Sequence, residues 1–269
     1  MQFGKDVIFT YGPLGFLMYP QPVGNNLLIG ATFAVVTQIL IVANIIYLIL
    51  STHKDNKYKN LFYIILSVFT LNFIYKTEIY LIFLIALLIL NYEISKKYFF
   101  IFLAAFFSSL AILIKIGYAI IALALIGSYL LIKLIIYKNY RLFLLISSAV
   151  IISFLAIWFI IYRNFGYLFD YFISGIQLIN GYSSAMSVSP PNNWILISLS
   201  IIILFLASLF LRTKKVYLLS SAFLLPSYLV FKSAFVRNEI VHTRFFLSLL
   251  WLYFFLIVIQ KMPRKKLIA

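Results

Sequence analysis

The chain has 269 residues, of which 65% are hydrophobic and 10% charged, with a mean hydropathy of +1.09. Apolar runs recur from Leu27 to Gln260, close to or beyond the roughly 20 residues that cross a bilayer, which excludes a soluble domain and predicts an all-α polytopic membrane protein. The runs do not alternate as barrel strands would, and the absence of cysteine excludes disulfides, thiolate metal sites and cysteine nucleophiles.

Residues 1–26 hold no sustained apolar run of the signal-peptide kind, and Gly12-Pro13, Pro20 and Pro22 interrupt any regular element. Ile8, Phe9, Tyr11, Leu14, Phe16 and Leu17 give the segment an apolar side suited to the membrane interface. Asp6 stands just before this aromatic stretch. A carboxylate near an apolar interface is a candidate general base; the alternative is a solvated acid in a loose terminus.

From there the sequence predicts nine spans within one membrane domain, at 27–51, 60–75, 79–92, 98–114, 116–136, 142–162, 194–211, 216–231 and 245–260. The connections alternate in charge. One set, around Lys54–Lys59, Lys96-Lys97, 133–141, Arg212–Lys215 and Lys261–Lys266, carries fifteen basic residues against Asp55 and Glu93. The other carries seven, among them Lys5, Lys76, Lys115 and Arg163, against four acids. The positive-inside rule makes the first set cytoplasmic, which puts the N-terminus outside and the C-terminus in the cytoplasm of a multi-pass cell-membrane protein. The net charge of +16 then faces anionic membrane lipids rather than nucleic acid. An external start without a signal leads to the expectation of a truncated or unusually started chain.

Glu78 and Lys76 fall in a tight turn at 75–80, readable as a local ion pair or as a second acid facing Asp6. Lys115, between the fourth and fifth spans, is either a snorkelling lysine or a contact to a phosphate or lipid head group. The longest external connection is 163–193. Leu168, Phe172, Ile176 and Ile179 share one helical face there, with Asp170, Ser174 and Gln177 on another, which predicts a helix flat on the membrane. Trp158 and Trp194 are placed at the outer interface, and Pro226 is expected to kink the eighth span.

Between the last two spans, KSAFVRNEIVHTR gathers Lys232, Arg237, Glu239, His242 and Arg244 into thirteen positions. Arginine offers paired N–H groups to phosphate oxygens, and histidine can donate a hydrogen bond or a proton, so an anionic ligand is the leading candidate. The alternative is a solvated loop between helices. No Walker loop, GxGxxG, HExxH or Asp-x-Asp is present. External carboxylates can bind a divalent cation, but no spacing demands one, and no other cofactor is indicated.

The start, GKDVIFTYGPLGFL, resembles the first external loop of GT-C superfamily integral membrane glycosyltransferases of the PMT/ArnT-like kind, through Asp6, Tyr11, Pro13 and Leu14. SSLAILIKIGYAII is similar to their small-residue helix that ends in a lysine, matched by Lys115. The resemblance implies transfer of a sugar from a polyprenyl-phosphate donor on the external face. Asp6 would act as the base, and Tyr11, Glu78, Lys115, Lys232, Arg237, Glu239, His242 and Arg244 would line the substrate site. Other readings of the same residues are an O-antigen-ligase-like transferase centred on Arg237 and His242, a transporter or flippase of an anionic or lipid-linked substrate, and a non-catalytic membrane remnant.

Overall fold

The computed structural model describes residues 11–52, 61, 64–65, 77–185, 222–223, 225–232, 246 and 249–250. Among these the regular structure is entirely helical. After a 3₁₀ turn at Gly15–Leu17 come α1 (Asn26–Thr52), α2 (Thr77–Ser95), α3 (Tyr98–Ile114), α4 (Ile116–Ile135), α5 (Tyr140–Tyr162) and α6 (Leu168–Ala185). Helices thus occupy the predicted stretches 27–51, 79–92, 98–114, 116–136 and 142–162, and α6 falls inside 163–193. The predicted spans 60–75, 194–211 and 245–260 lie wholly or largely outside the described residues, and the described part of 216–231, residues 222–223 and 225–231, is helical.

The helix ends follow from the residues that stand there. α2 and α3 are joined by Lys96 and Lys97 alone, with Lys96 in the left-handed region at φ 57°. A single extended residue, Lys115 at φ −162° and ψ 121°, separates α3 from α4. Asn139 caps α5 by accepting the Leu142 amide at 3.1 Å, as a short polar side chain at that position should. Arg163 closes α5 in the left-handed region, its amide donating to the Phe159 carbonyl at 2.8 Å.

α2 and α3 form the centre. From Leu81 to Leu90 every α2 side chain is buried, so this helix is apolar on all sides because all sides are covered. α1, α3 and α4 pack round it, and α5 packs on α3 and α4. α3 presents Ala104, Ala105, Ser108 and Ser109, a small-residue stripe that allows close approach. The Ser109 hydroxyl donates between the Ala105 carbonyl at 3.0 Å and the α5 carbonyl of Val150 at 2.8 Å. Asn91 of α2, fully buried, donates to the Asn44 side-chain oxygen of α1 at 2.8 Å. These bonds fasten helices where lipid offers no hydrophobic gradient to do so.

The outer helices are apolar on both faces. α5 buries Leu142, Ile146, Val150, Phe154 and Trp158, one per turn, yet exposes Leu144, Ile151, Ile152 and Ile160 on its far side. α1 buries Ile41, Ile45, Leu48 and Ile49 and exposes Leu28, Val35 and Ile39. Water would not stabilise such surfaces; hydrocarbon does. Among the described residues three helices, Asn26–Ser51, Ile116–Ile135 and Tyr140–Tyr162, are long and apolar enough to cross a membrane.

Consecutive helices reverse direction, which gives the bundle two ends. Lys96, Lys97 and Lys133 stand at one; Tyr11, Lys115 and Arg163 stand at the other. Three expectations are corrected. Glu78 opens α2 instead of sitting in a turn, because helix begins at Thr77. Trp158 is no exposed belt residue: α6 folds over it, so that Phe154, Tyr162 and Tyr171 pack round the indole and its Nε1 donates to the Asn164 carbonyl at 3.0 Å. The packed face of α6 runs through Leu168, Tyr171, Phe172 and Gly175, and Ile176 is exposed.

Candidate functional site

The last turn of an α-helix leaves its carbonyls without intrahelical donors. At the end of α3 four different donors meet that need. Lys115 N–H donates to Ala111 at 3.1 Å, the Tyr171 hydroxyl to Ile112 at 2.6 Å, Leu14 N–H to Leu113 at 3.0 Å and Gly12 N–H to Ile114 at 2.9 Å. The N-terminal loop is thereby hydrogen-bonded to the break between α3 and α4. Gly12 is required there by space: a Cβ would lie 2.3 Å from the Leu113 carbonyl oxygen and 2.5 Å from the Tyr171 hydroxyl. Burial pushes the Tyr171 phenol up from its ordinary value, with Tyr162 adding to the rise, so it stays a neutral donor.

This junction positions Lys115. Its backbone is extended between two helices, and its carbonyl accepts the Tyr118 and Ala119 amides, both at 3.0 Å. The side chain turns between two tyrosines. Nζ donates to the Tyr11 and Tyr118 hydroxyls at 3.2 Å each and lies 4.5 Å from the centre of each ring. Tyr19 packs edge-on against Tyr11 at 5.0 Å. Rings and phenol oxygens stabilise and orient the ammonium at the break between the two helices. A small core of Ile112, Leu113, Ala119, Phe154, Trp158 and Tyr171 supports the junction from beneath.

At the opposite end stands a cluster that sequence reasoning treated as loop charge. Glu93 is in the last turn of α2 and only 5% exposed. Its Oε1 accepts from Lys133 at 2.6 Å and from the Tyr129 hydroxyl, and its Oε2 from Lys96 at 2.6 Å. Lys133 Nζ also lies 4.5 Å from the Tyr137 ring centre. The signals were present: Lys96 is three residues after Glu93, and Tyr129, Lys133 and Tyr137 recur every four residues along one helical face. Only the meeting of α2 with α4 was not readable.

Of the predicted site residues, Tyr11 and Lys115 are brought into contact. Lys232 ends a helical stretch at 225–232 and is exposed. Glu78 is described by its backbone in α2, while Asp6, Arg237, Glu239, His242 and Arg244 lie outside the described residues. Among the described residues no group of three or more His, Cys, Asp or Glu could hold a metal ion. Tyr118 and Tyr171 are the site residues that the sequence reading passed over.

Fold and site together define an all-helical protein with helices of membrane-spanning length and an aromatic-held lysine at one end of the bundle. No family model matches the chain, and no curated protein or solved structure matches it.

Proposed function

We propose that this is a multi-pass membrane glycosyltransferase that moves a sugar from a polyprenyl-phosphate donor to an acceptor on the external face. One observation carries the reading. The two segments that resemble the GT-C enzymes, 104 positions apart at Tyr11 and Lys115, touch through a 3.2 Å hydrogen bond. The backbone bonds from Gly12 and Leu14 to the end of α3 hold the two segments in that register.

In this reading the Lys115 end faces outward, the Lys96 end faces the cytoplasm, nine spans cross the membrane, and α6 lies along the outer surface with Phe169 and Ile173 toward lipid. The donor phosphate is held by Lys115 together with Lys232, Arg237, His242 and Arg244. Asp6 is five residues before Tyr11, within about 18 Å of it even on a fully extended chain. The acceptor oxygen attacks the anomeric carbon, the carbon–oxygen bond to phosphate breaks with its electron pair leaving on the phosphate, and Asp6 takes the acceptor proton. Cations at the phosphate stabilise the charge that builds there. Transport is the weaker reading, because the described charges buried in the bundle, Glu93 and Lys133, lie at helix ends and not at mid-depth.

The test is sugar transfer from a polyprenyl-phosphate donor in proteoliposomes of the full chain. Lys115→Ala should lower transfer tenfold or more, and Lys115→Arg should retain part of it. Asp6→Asn should abolish it, and Arg237→Ala should weaken binding of polyprenyl phosphate. Unaltered transfer by Lys115→Ala would remove the site, and anion uptake without acceptor would point to transport instead.

A further inference from the structure

The Glu93 cluster plays no part in that reaction. It stands at the far end of α3, about 25 Å from Lys115 at 1.5 Å per helical residue. Its charge does not balance. One carboxylate receives two ammonium groups and a phenol, so its oxygens are committed and a positive charge is left over. The buried pair Glu93 and Lys133 balances itself, so the excess charge stands on Lys96, at the exposed edge of the cluster.

The geometry shows where that anion would sit. Lys133 is enclosed, with a side chain 10% exposed, whereas Lys96 has a side chain 58% exposed and is tethered to Glu93 by one of its three N–H groups. The ion pair to Glu93 orients it, with its Nζ 5.6 Å from the Tyr92 ring centre, and it stands in the two-residue turn between α2 and α3. Beside it Lys97 lies over the Tyr47 ring at 5.8 Å. Tyr98 and Tyr137 are about half exposed at the same level, and lysines among tyrosines are what the head-group layer of a membrane favours.

We propose that Lys96, held by Glu93 and backed by Lys97, is a binding site for the phosphate of an anionic lipid in the leaflet at this end of the bundle. Glu93 acts as the anchor: it spends its charge on orienting Lys96 and Lys133, so that the remaining Lys96 donors meet the head group already ordered. The lipid phosphate completes the charge balance and holds the α2–α3 turn. The site is independent of sugar transfer.

The experiment measures binding of fluorescent phosphatidylglycerol to the full chain in neutral detergent micelles. Lys96→Gln should weaken binding about fivefold, the effect of one basic residue at an anionic surface, and Lys96→Arg should restore it. Arg163→Gln, the same charge change at the other end, should leave it unchanged. The Lys96 side chain is exposed enough that these variants keep the fold. Equal affinity of Lys96→Gln and the parent chain would overturn the site. So would equal weakening by Arg163→Gln, or equal binding of phosphatidylcholine. Displacement of the lipid by inorganic phosphate at matched concentration would overturn the lipid assignment and make the ligand a soluble phosphate.

Discussion

The two ends of the bundle hold lysine in opposite ways. At one, Lys115 lies between Tyr11 and Tyr118 and donates to both hydroxyls. At the other, Lys96 and Lys133 converge on the carboxylate of Glu93. A phenol orients an ammonium and leaves its charge in place; a carboxylate orients it and cancels one charge. The first arrangement ties the N-terminal loop to the break between α3 and α4. In the second, the buried Glu93–Lys133 pair is a fixed fastening between α2 and α4, since breaking it strands a charge in a place that water barely reaches, while Lys96 stands at the exposed edge.

That contrast is most easily broken at Glu93. Glu93→Gln keeps the shape of the side chain but leaves Lys133 buried against a neutral amide, one of whose own N–H groups faces an ammonium. Loss of one partner in a buried pair costs about 4 kcal/mol. We expect a large fall in the melting temperature of the purified protein in detergent, and partial recovery when Lys133→Met is combined with it, because the second change removes the stranded charge. A melting temperature unchanged by Glu93→Gln would mean that the two ends are held alike.

The Lys115 end should answer to space more than to charge. In Gly12→Ala a methyl would meet the Leu113 carbonyl and the Tyr171 hydroxyl, both fixed by their own hydrogen bonds. The cost is about 3 kcal/mol, the upper range for overpacking, or else the loop withdraws from α3. Where the loop withdraws, the Tyr11–Lys115 contact is lost. Sugar transfer from the polyprenyl-phosphate donor should then fall together with stability, whereas Glu93→Gln should lower stability and spare transfer per folded molecule. That split, measured by thermal melts and sugar transfer on the same preparations, separates the transfer site from the cluster at the other end.

How much of this was legible in the sequence differs between the ends for the same physical reason. Helix positions were readable, because apolar runs bounded by Lys96-Lys97, Lys115 and Asn139 leave little choice of boundary. Tyr11 and Lys115 were singled out because each stands in an unusual local pattern. Their contact was not deducible, since it depends on backbone bonds from Gly12 and Leu14 to carbonyls that every helix end possesses. The Glu93 cluster was missed because charge counted by loop cannot distinguish a solvated lysine from one folded inward by the next helix. α6 was foreseen as amphipathic, but Gly175 lies against Ile116, and a glycine in a close helix contact has no hydrophobicity to announce it. The apolar face was therefore drawn one residue too far, through Ile176.

The smallest effect tests whether the aromatic end depends on hydrogen bonding at all. Tyr171→Phe keeps the ring that packs on Trp158 and Phe172 and removes only the hydroxyl that donates to the Ile112 carbonyl. A single neutral hydrogen bond contributes about 1 kcal/mol, so the melting temperature should drop by a few degrees at most. The more telling reading is amide hydrogen exchange. Leu14 and Gly12 donate to the two carbonyls that follow Ile112, and all three acceptors belong to one helical turn. If Tyr171 steadies that turn, the Gly12 and Leu14 amides should exchange faster in Tyr171→Phe while amides in the middle of α2 do not change. Equal exchange at Gly12 and Leu14 would show that the ring packing alone holds the junction, and that Lys115 is positioned by shape without help from the phenol.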